Sequence, residues 1–184
     1  MLGYVVPEKR ATADALIRAA VAPLQACGVA LVGATQFNPD VTLPGATLVG
    51  VQPFEAEALR SHMDLHLLAD KQVVRISQNL GGGAQGCRLD SDGLERAVGL
   101  TKSALDGGAD LLIVNKFGKQ EAEGRGFRPL IGEALLRDIP VLVSVAPGQL
   151  PAFQDFAGPI GQRLPAKIDA ILDWCESMLG LRPS

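Results

Sequence analysis

Apolar residues along this chain keep two rhythms, and their alternation sets the fold class. "LGYVV" and "VALVGATQF" read as strands. Between them, "ATADALIRAAVAPLQACG" repeats at helical spacing, with Leu16, Ile17, Ala20, Val21 and Leu24 on one face and Gly28 just past the end. "MDLHLL" and "QVVRISQ", parted by Ala69 to Lys71, predict a hairpin, whereas the Pro- and Gly-rich stretch from Asn38 to Pro53 breaks the pattern into an irregular excursion. Asp92 with Glu95 predicts a capping box for a helix carrying Leu94, Ala97, Val98, Thr101 and Leu105 on one side. "ADLLIVN" reads as a buried strand, and "IPVLVSV" is continuously apolar, as in a parallel sheet covered on both faces. Between these two, Pro129 suits the first turn of a helix with Phe127, Leu130, Ile131, Ala134 and Leu135 as its stripe. Pro165 is expected to open a last helix that turns Ile168, Ile171, Leu172, Cys175 and Leu179 inward, with Trp174 as a packing anchor.

The sum is a three-layer α/β domain with a mostly parallel sheet and a hairpin or irregular insertion over about residues 38–90. At 184 residues, 47% hydrophobic and 20% charged, a single domain spanning 1–184 is the expectation, with no internal repeat or linker. The net charge of -3 argues against a general nucleic-acid binder, which needs a basic face. Cys27, Cys87 and Cys175 show neither paired spacing nor a CxxC motif, so they read as thiols in a reducing compartment. "MLGYVVPEKR" reads as a first strand rather than a signal peptide, and no apolar run approaches the ~20 residues that span a bilayer. The expectation is a cytoplasmic protein without membrane or nucleic-acid partners. An exposed hairpin and the excursion beside it also predict a homo-oligomer, because open sheet edges tend to be covered.

Candidate chemistry gathers where the strand "ADLLIVN" ends. The connection "NKFGKQEAEGRGFR" packs two lysines, two arginines and two glutamates among glycines, and in an open α/β sheet ligands bind at the carboxyl ends of strands. Asn115, Lys116, Gly118, Lys119, Arg125 and Arg128 are therefore candidates to ring an anion; the alternative is that the cations pair with Glu121 and Glu123 at the surface. "PEKRATAD", between the first strand and first helix, offers Lys9, Arg10 and Thr12 as a basic, hydroxyl-bearing lip at a helix N-terminus, or simply a solvated turn. Gly81, Gly82, Gly83 and Gly86 give "NLGGGAQGCRLD" the backbone freedom of an anion-binding nest beside Arg88, or of a plain loop. His62, Asp64 and His66 alternate on one strand face, yet no further ligand lies nearby, so chance alternation is the reading and no metal is assigned.

The succession "GVALVGATQF", "MDLHLLADKQVVRISQ", "GCRLD" and "ADLLIVNKFGKQEAEGRGFRPLIGEALLRDIPVLVSV" resembles a bacterial domain family of unknown function, number 2478, over nearly the whole chain. Members of that family are often encoded beside molybdate transport genes. The family is more distantly similar to the small P-loop nucleoside triphosphatases of thermophile type, which implies a P-loop-NTPase-like sheet. In those enzymes this strand ends in an acidic pair followed by IGxME, and Glu121 matches the last acid. Two departures stand out. A phosphate-cradling loop needs GxxxxGK[ST], and "PEKRATAD" has no glycine. Asn115 and Lys116 stand where the acid pair would hold Mg²⁺, and a lysine there repels the metal.

These departures turn the expected site from metal plus nucleotide toward a bare anion. The expected function is binding of an oxyanion, molybdate or tungstate by family context, or of a phosphate-bearing small molecule, without hydrolysis and without a cofactor. A nucleotide phosphohydrolase using Glu121 as base is the alternative from a different class. A ligand-free interaction protein regulating molybdate transport or molybdoenzyme maturation is a third.

Overall fold

The computed structural model describes residues 1–7, 10–37, 63–78 and 89–181, with the side chains of residues 10–13 outside that description. The described chain runs β1 (Leu2–Val5), α1 (Arg10–Ala26), β2 (Leu31–Phe37), β3 (Asp64–Leu67), β4 (Val73–Arg75), α2 (Ser91–Asp106), β5 (Leu111–Phe117), α3 (Lys119–Ala122), α4 (Arg128–Leu136), β6 (Val141–Val145), α5 (Leu150–Ala157), β7 (Gly161–Arg163) and α6 (Ile168–Leu179). Among the described residues, seven strands form one sheet in the order β4-β3-β2-β5-β6-β1-β7. The pairs from β2 to β7 are parallel, while β3 and β4 add an antiparallel hairpin to the β2 edge. The fold is therefore the three-layer, mostly parallel α/β arrangement with a hairpin that the apolar rhythm implied.

Side-chain alternation along the strands divides the core into two layers. Leu111 and Ile113 of β5 and Leu142 of β6 face a layer made with Ile17, Leu24, Ile171 and Trp174 of α1 and α6. Leu112, Val114, Val141 and Val143 face the other, made with Leu94, Leu105, Leu130, Ile131 and Phe153 of α2, α4 and α5. Every residue of β6 is buried, which explains a sequence apolar at every position but Ser144. The backbones of β2 and β5 approach closely at Gly33, where φ is +123° and an added Cβ would stand 1.9 Å from the Ile113 carbonyl oxygen. Trp174 anchors α6 as expected: it is buried, and its indole N–H donates to Gln162 Oε1 at 3.0 Å.

Three local expectations need correction. Asp90, not Asp92, caps α2, its carboxylate accepting from the Asp92 N–H at 3.1 Å; an acid two residues upstream competes for the same free N–H groups. The last helix begins at Ile168 rather than Pro165. The Gly- and Pro-punctuated stretch after β6 holds a helix, α5, and an edge strand, β7, that apolar periodicity did not reveal. The excursion Asn38 to Pro53 and the glycines Gly81, Gly82, Gly83 and Gly86 lie outside the described residues. Among the described residues, no helix is long and apolar enough to cross a membrane.

Candidate functional site

The pairing of β5 with β6 shifts register between Val114 and Phe117. Asn115 and Lys116 sit in that irregularity, at the carboxyl end of the sheet. Asn115 is 4% exposed. Its Nδ2 donates to Asp14 Oδ1 of α1 at 2.8 Å, and its Oδ1 accepts from the Gln36 backbone N–H of β2 at 2.9 Å. One amide thus ties a helix and two strands together. Only a side chain with both a donor and an acceptor satisfies a carboxylate on one side and an N–H on the other.

Glu121 is equally committed. Its Oε2 accepts from the Gly118 N–H at 2.9 Å and its Oε1 from the Phe127 N–H at 3.1 Å, so the carboxylate folds the charged connection around itself. Gly126 makes room for it: φ there is +57°, and a Cβ would stand 2.2 Å from Oε1. Burial pushes the Glu121 carboxyl above its ordinary value, against the opposing pull of the two N–H donors and of the Lys116 charge. The Lys116 stem lies over Gly118, its ε-carbon 3.5 Å from where a Cβ on that glycine would sit.

Beside this strand end lies a cavity of about 480 Å³. Met63 and Leu65 of the hairpin arm, Ile76, Leu89, Leu94 of α2 and Phe127 make its apolar wall. Ala34 and Gln36 of β2, with Asn115, Lys116 and residues 118–121, complete it. Of the residues singled out in the sequence, the structure therefore brings Asn115, Lys116, Gly118, Lys119 and Glu121 together around one space. The arginines are not among the described residues that line it. Arg125 bonds Gln120 Oε1 at 2.9 Å and pairs with Glu123. Arg128 donates to the Glu121 and Ala122 carbonyls, both at 3.3 Å, with its guanidinium 4.7 Å from the Phe156 ring centre. Lys119, though on the cavity margin, is largely exposed and stands 3.8 Å from Glu123.

Lys9 and Arg88 lie outside the described residues, as do the side chains of Arg10 and Thr12. His62 lies outside them too; Asp64 pairs with Arg75 at 3.1 Å, and His66 packs edge-on against Phe37. Sequence reasoning passed over Asp14, Gln36 and the whole apolar wall. The signal for Gln36 was present, a polar residue two positions after Ala34 and so on the same face of the strand.

The chain belongs to the family described as protein of unknown function (DUF2478), which it matches over residues 2–174. It is 41% identical over 101 residues to "Molybdenum import ATP-binding protein ModC 2" of Bradyrhizobium diazoefficiens. That stretch is 55% of this chain but 11% of the relative, so the chain spans about a tenth of the length of the curated relative it matches. Among solved structures, it resembles THEP1 from the hyperthermophile Aquifex aeolicus at a TM-score of 0.59 and 13% identity, over 97% of this chain and 98% of that one. A human cancer-related nucleoside triphosphatase matches at 0.58 and 14%, over 97% and 95%. At such identities the likeness is one of fold, and the fold is that of the P-loop nucleoside triphosphatases.

Proposed function

We propose that this member of a family of unknown function binds a phosphate-bearing small molecule at the carboxyl end of β5 and does not hydrolyse it. The observation that carries the reading is the cavity of about 480 Å³ with Lys116 and Gly118 on its edge, beside acids already committed to internal hydrogen bonds. A lysine charge favours an anionic group, and free space next to it gives the rest of the ligand somewhere to sit. Glu121 would have to surrender two backbone N–H donors to act on water, and Asn115 and Lys116 replace the acids that would hold Mg²⁺ in the similar enzymes. The P-loop-type fold and the partial likeness to an ATP-binding protein support a nucleotide-like ligand.

A bare oxyanion is the second reading. What favours it is the 41% identical stretch shared with a molybdenum import protein. Calorimetric titration with ATP, GTP, their monophosphates, phosphate, sulfate, molybdate and tungstate separates the two readings. Phosphate release from ATP and GTP, with and without Mg²⁺, should stay at the level of a protein-free blank. Steady Mg²⁺-dependent release that is lost in a folded Glu121→Gln protein overturns the non-hydrolytic reading in favour of a phosphohydrolase.

A further inference from the structure

We infer that the cavity between β2, the β3–β4 hairpin and α2 receives a flat unsaturated ring carried by the anionic ligand, so that the ligand is a phosphorylated heterocycle rather than a bare oxyanion. This rests on the binding reading above and specifies its ligand class. Size is the first argument. Four oxygens at a water's share of roughly 30 Å³ each occupy about 120 Å³. That is about a quarter of the 480 Å³ available, whereas cavities of this order enclose organic molecules.

The wall chemistry agrees. Met63, Leu65, Ile76, Leu94 and Phe127 offer methyl, thioether and aromatic surface, which packs well on a ring face and gives nothing back to an anion stripped of water. The sheet side supplies the flat floor: Ala34 and Gln36 alternate onto one face of β2, and the small Ala34 leaves depth that a larger residue would fill. Gln36 adds an amide at the polar end, suited to ring heteroatoms. Among the described residues none of β1 or α1 lines this space. The ring lies on the hairpin side of this strand end, and the phosphate it carries meets Lys116.

Methyl-labelled methionine offers a local reading, because Met63 lines the cavity while Met1 and Met178 do not. Adenosine and guanosine 5′-monophosphates, the two nucleosides, inorganic phosphate and molybdate are the probes, followed by methyl NMR and calorimetry on the full chain. At least one monophosphate should shift the Met63 methyl by ring current and leave Met1 and Met178 in place; phosphate and molybdate should leave all three. Leu89→Trp, which fills the half-buried margin of the cavity, should weaken that monophosphate at least tenfold without changing phosphate affinity or the unfolding midpoint. If both monophosphates leave Met63 unmoved while phosphate or molybdate binds with dependence on Lys116, the ring site is refuted and the anion site stands. If the nucleosides shift Met63 as strongly as the monophosphates and Lys116→Ala costs nothing, the ring site stands and the anion reading falls. Silence from every probe refutes both.

Discussion

Asn115 is the residue through which the end of β5 holds its neighbours, so its removal has a size that can be worked out. In Asn115→Ala the Gln36 N–H and the Asp14 carboxylate, both in buried residues, lose the partners they meet at 2.9 and 2.8 Å. Roughly 1–3 kcal/mol for each buried group left unpaired gives a loss of about 2–6 kcal/mol. At roughly 2–4 °C per kcal/mol for a chain of this size, a central loss of about 4 kcal/mol lowers the unfolding midpoint by about 8–16 °C. Asn115→Asp separates the two halves of the network. It keeps an acceptor for Gln36 but sets a carboxylate against Asp14, and two such groups at hydrogen-bond distance are compatible only when they share a proton. That proton is held more tightly folded than unfolded, so stability is lost as pH rises. Thermal unfolding followed by circular dichroism at pH 4.5 and pH 8, each relative to wild type at the same pH, should show Asn115→Asp markedly worse at pH 8 and Asn115→Ala equally impaired at both. A midpoint for Asn115→Ala within about 2 °C of wild type, or an Asn115→Asp deficit that ignores pH, refutes the bridging role.

Glu121 carries a pH signature of its own. With its folded value raised by burial, wild type loses stability as pH climbs from the ordinary value near 4.5 through the raised one, so the Glu121→Gln midpoint measured against wild type should improve from pH 4 to pH 7; a constant or reversed difference contradicts this. Gly33→Ala should cost about 4 kcal/mol or more and fail to give soluble folded protein, since the added Cβ meets the Ile113 carbonyl at 1.9 Å; near-normal urea unfolding contradicts that packing. Burial and the adjacent Glu176 charge push the Cys175 thiol up to about 12. In single-cysteine variants, Cys27 should therefore react with a thiol reagent in the native state and Cys175 only on unfolding; equal rates contradict the burial of Cys175.

The layered sheet was legible because β5 opens on the apolar run Leu111 to Val114, β6 is apolar but for Ser144, and α1, α2 and α6 keep a helical stripe, and both signals are set by burial. The hairpin was legible for the same reason. What stayed hidden depends on contacts between distant positions. The segment from Leu150 to Arg163 forms a helix and an edge strand because Phe153 packs into an aromatic cluster with Tyr4 and Phe117 and because β7 pairs with β1; its local prolines and glycines argue the other way. At the site, spacing and charge pointed to the strand end beside which the cavity lies and to Lys116 on its edge. For Arg125 and Arg128 two alternatives stood open there, and the structure has Arg125 paired with Glu123 and Arg128 on the Glu121 and Ala122 carbonyls within the same connection. The apolar wall was invisible as a site, since Leu65, Ile76 and Leu94 look like ordinary core until the space beside them is seen.

If Lys116 spends its charge on a phosphate-bearing ligand, as proposed above, its removal shows in one calorimetric comparison. Wild type and Lys116→Ala are titrated with adenosine and guanosine 5′-monophosphates, phosphate and molybdate, with Lys102→Ala as control because Lys102 pairs with Asp106 and Glu133 and does not line the cavity. A charge-assisted hydrogen bond of roughly 1.5–3 kcal/mol corresponds to a loss of about one to two orders of magnitude in affinity. That loss is expected for Lys116→Ala with the tightest-binding probe, and wild-type affinity for Lys102→Ala. Full affinity in Lys116→Ala, or no binding by the wild type to any of the four, contradicts the proposal.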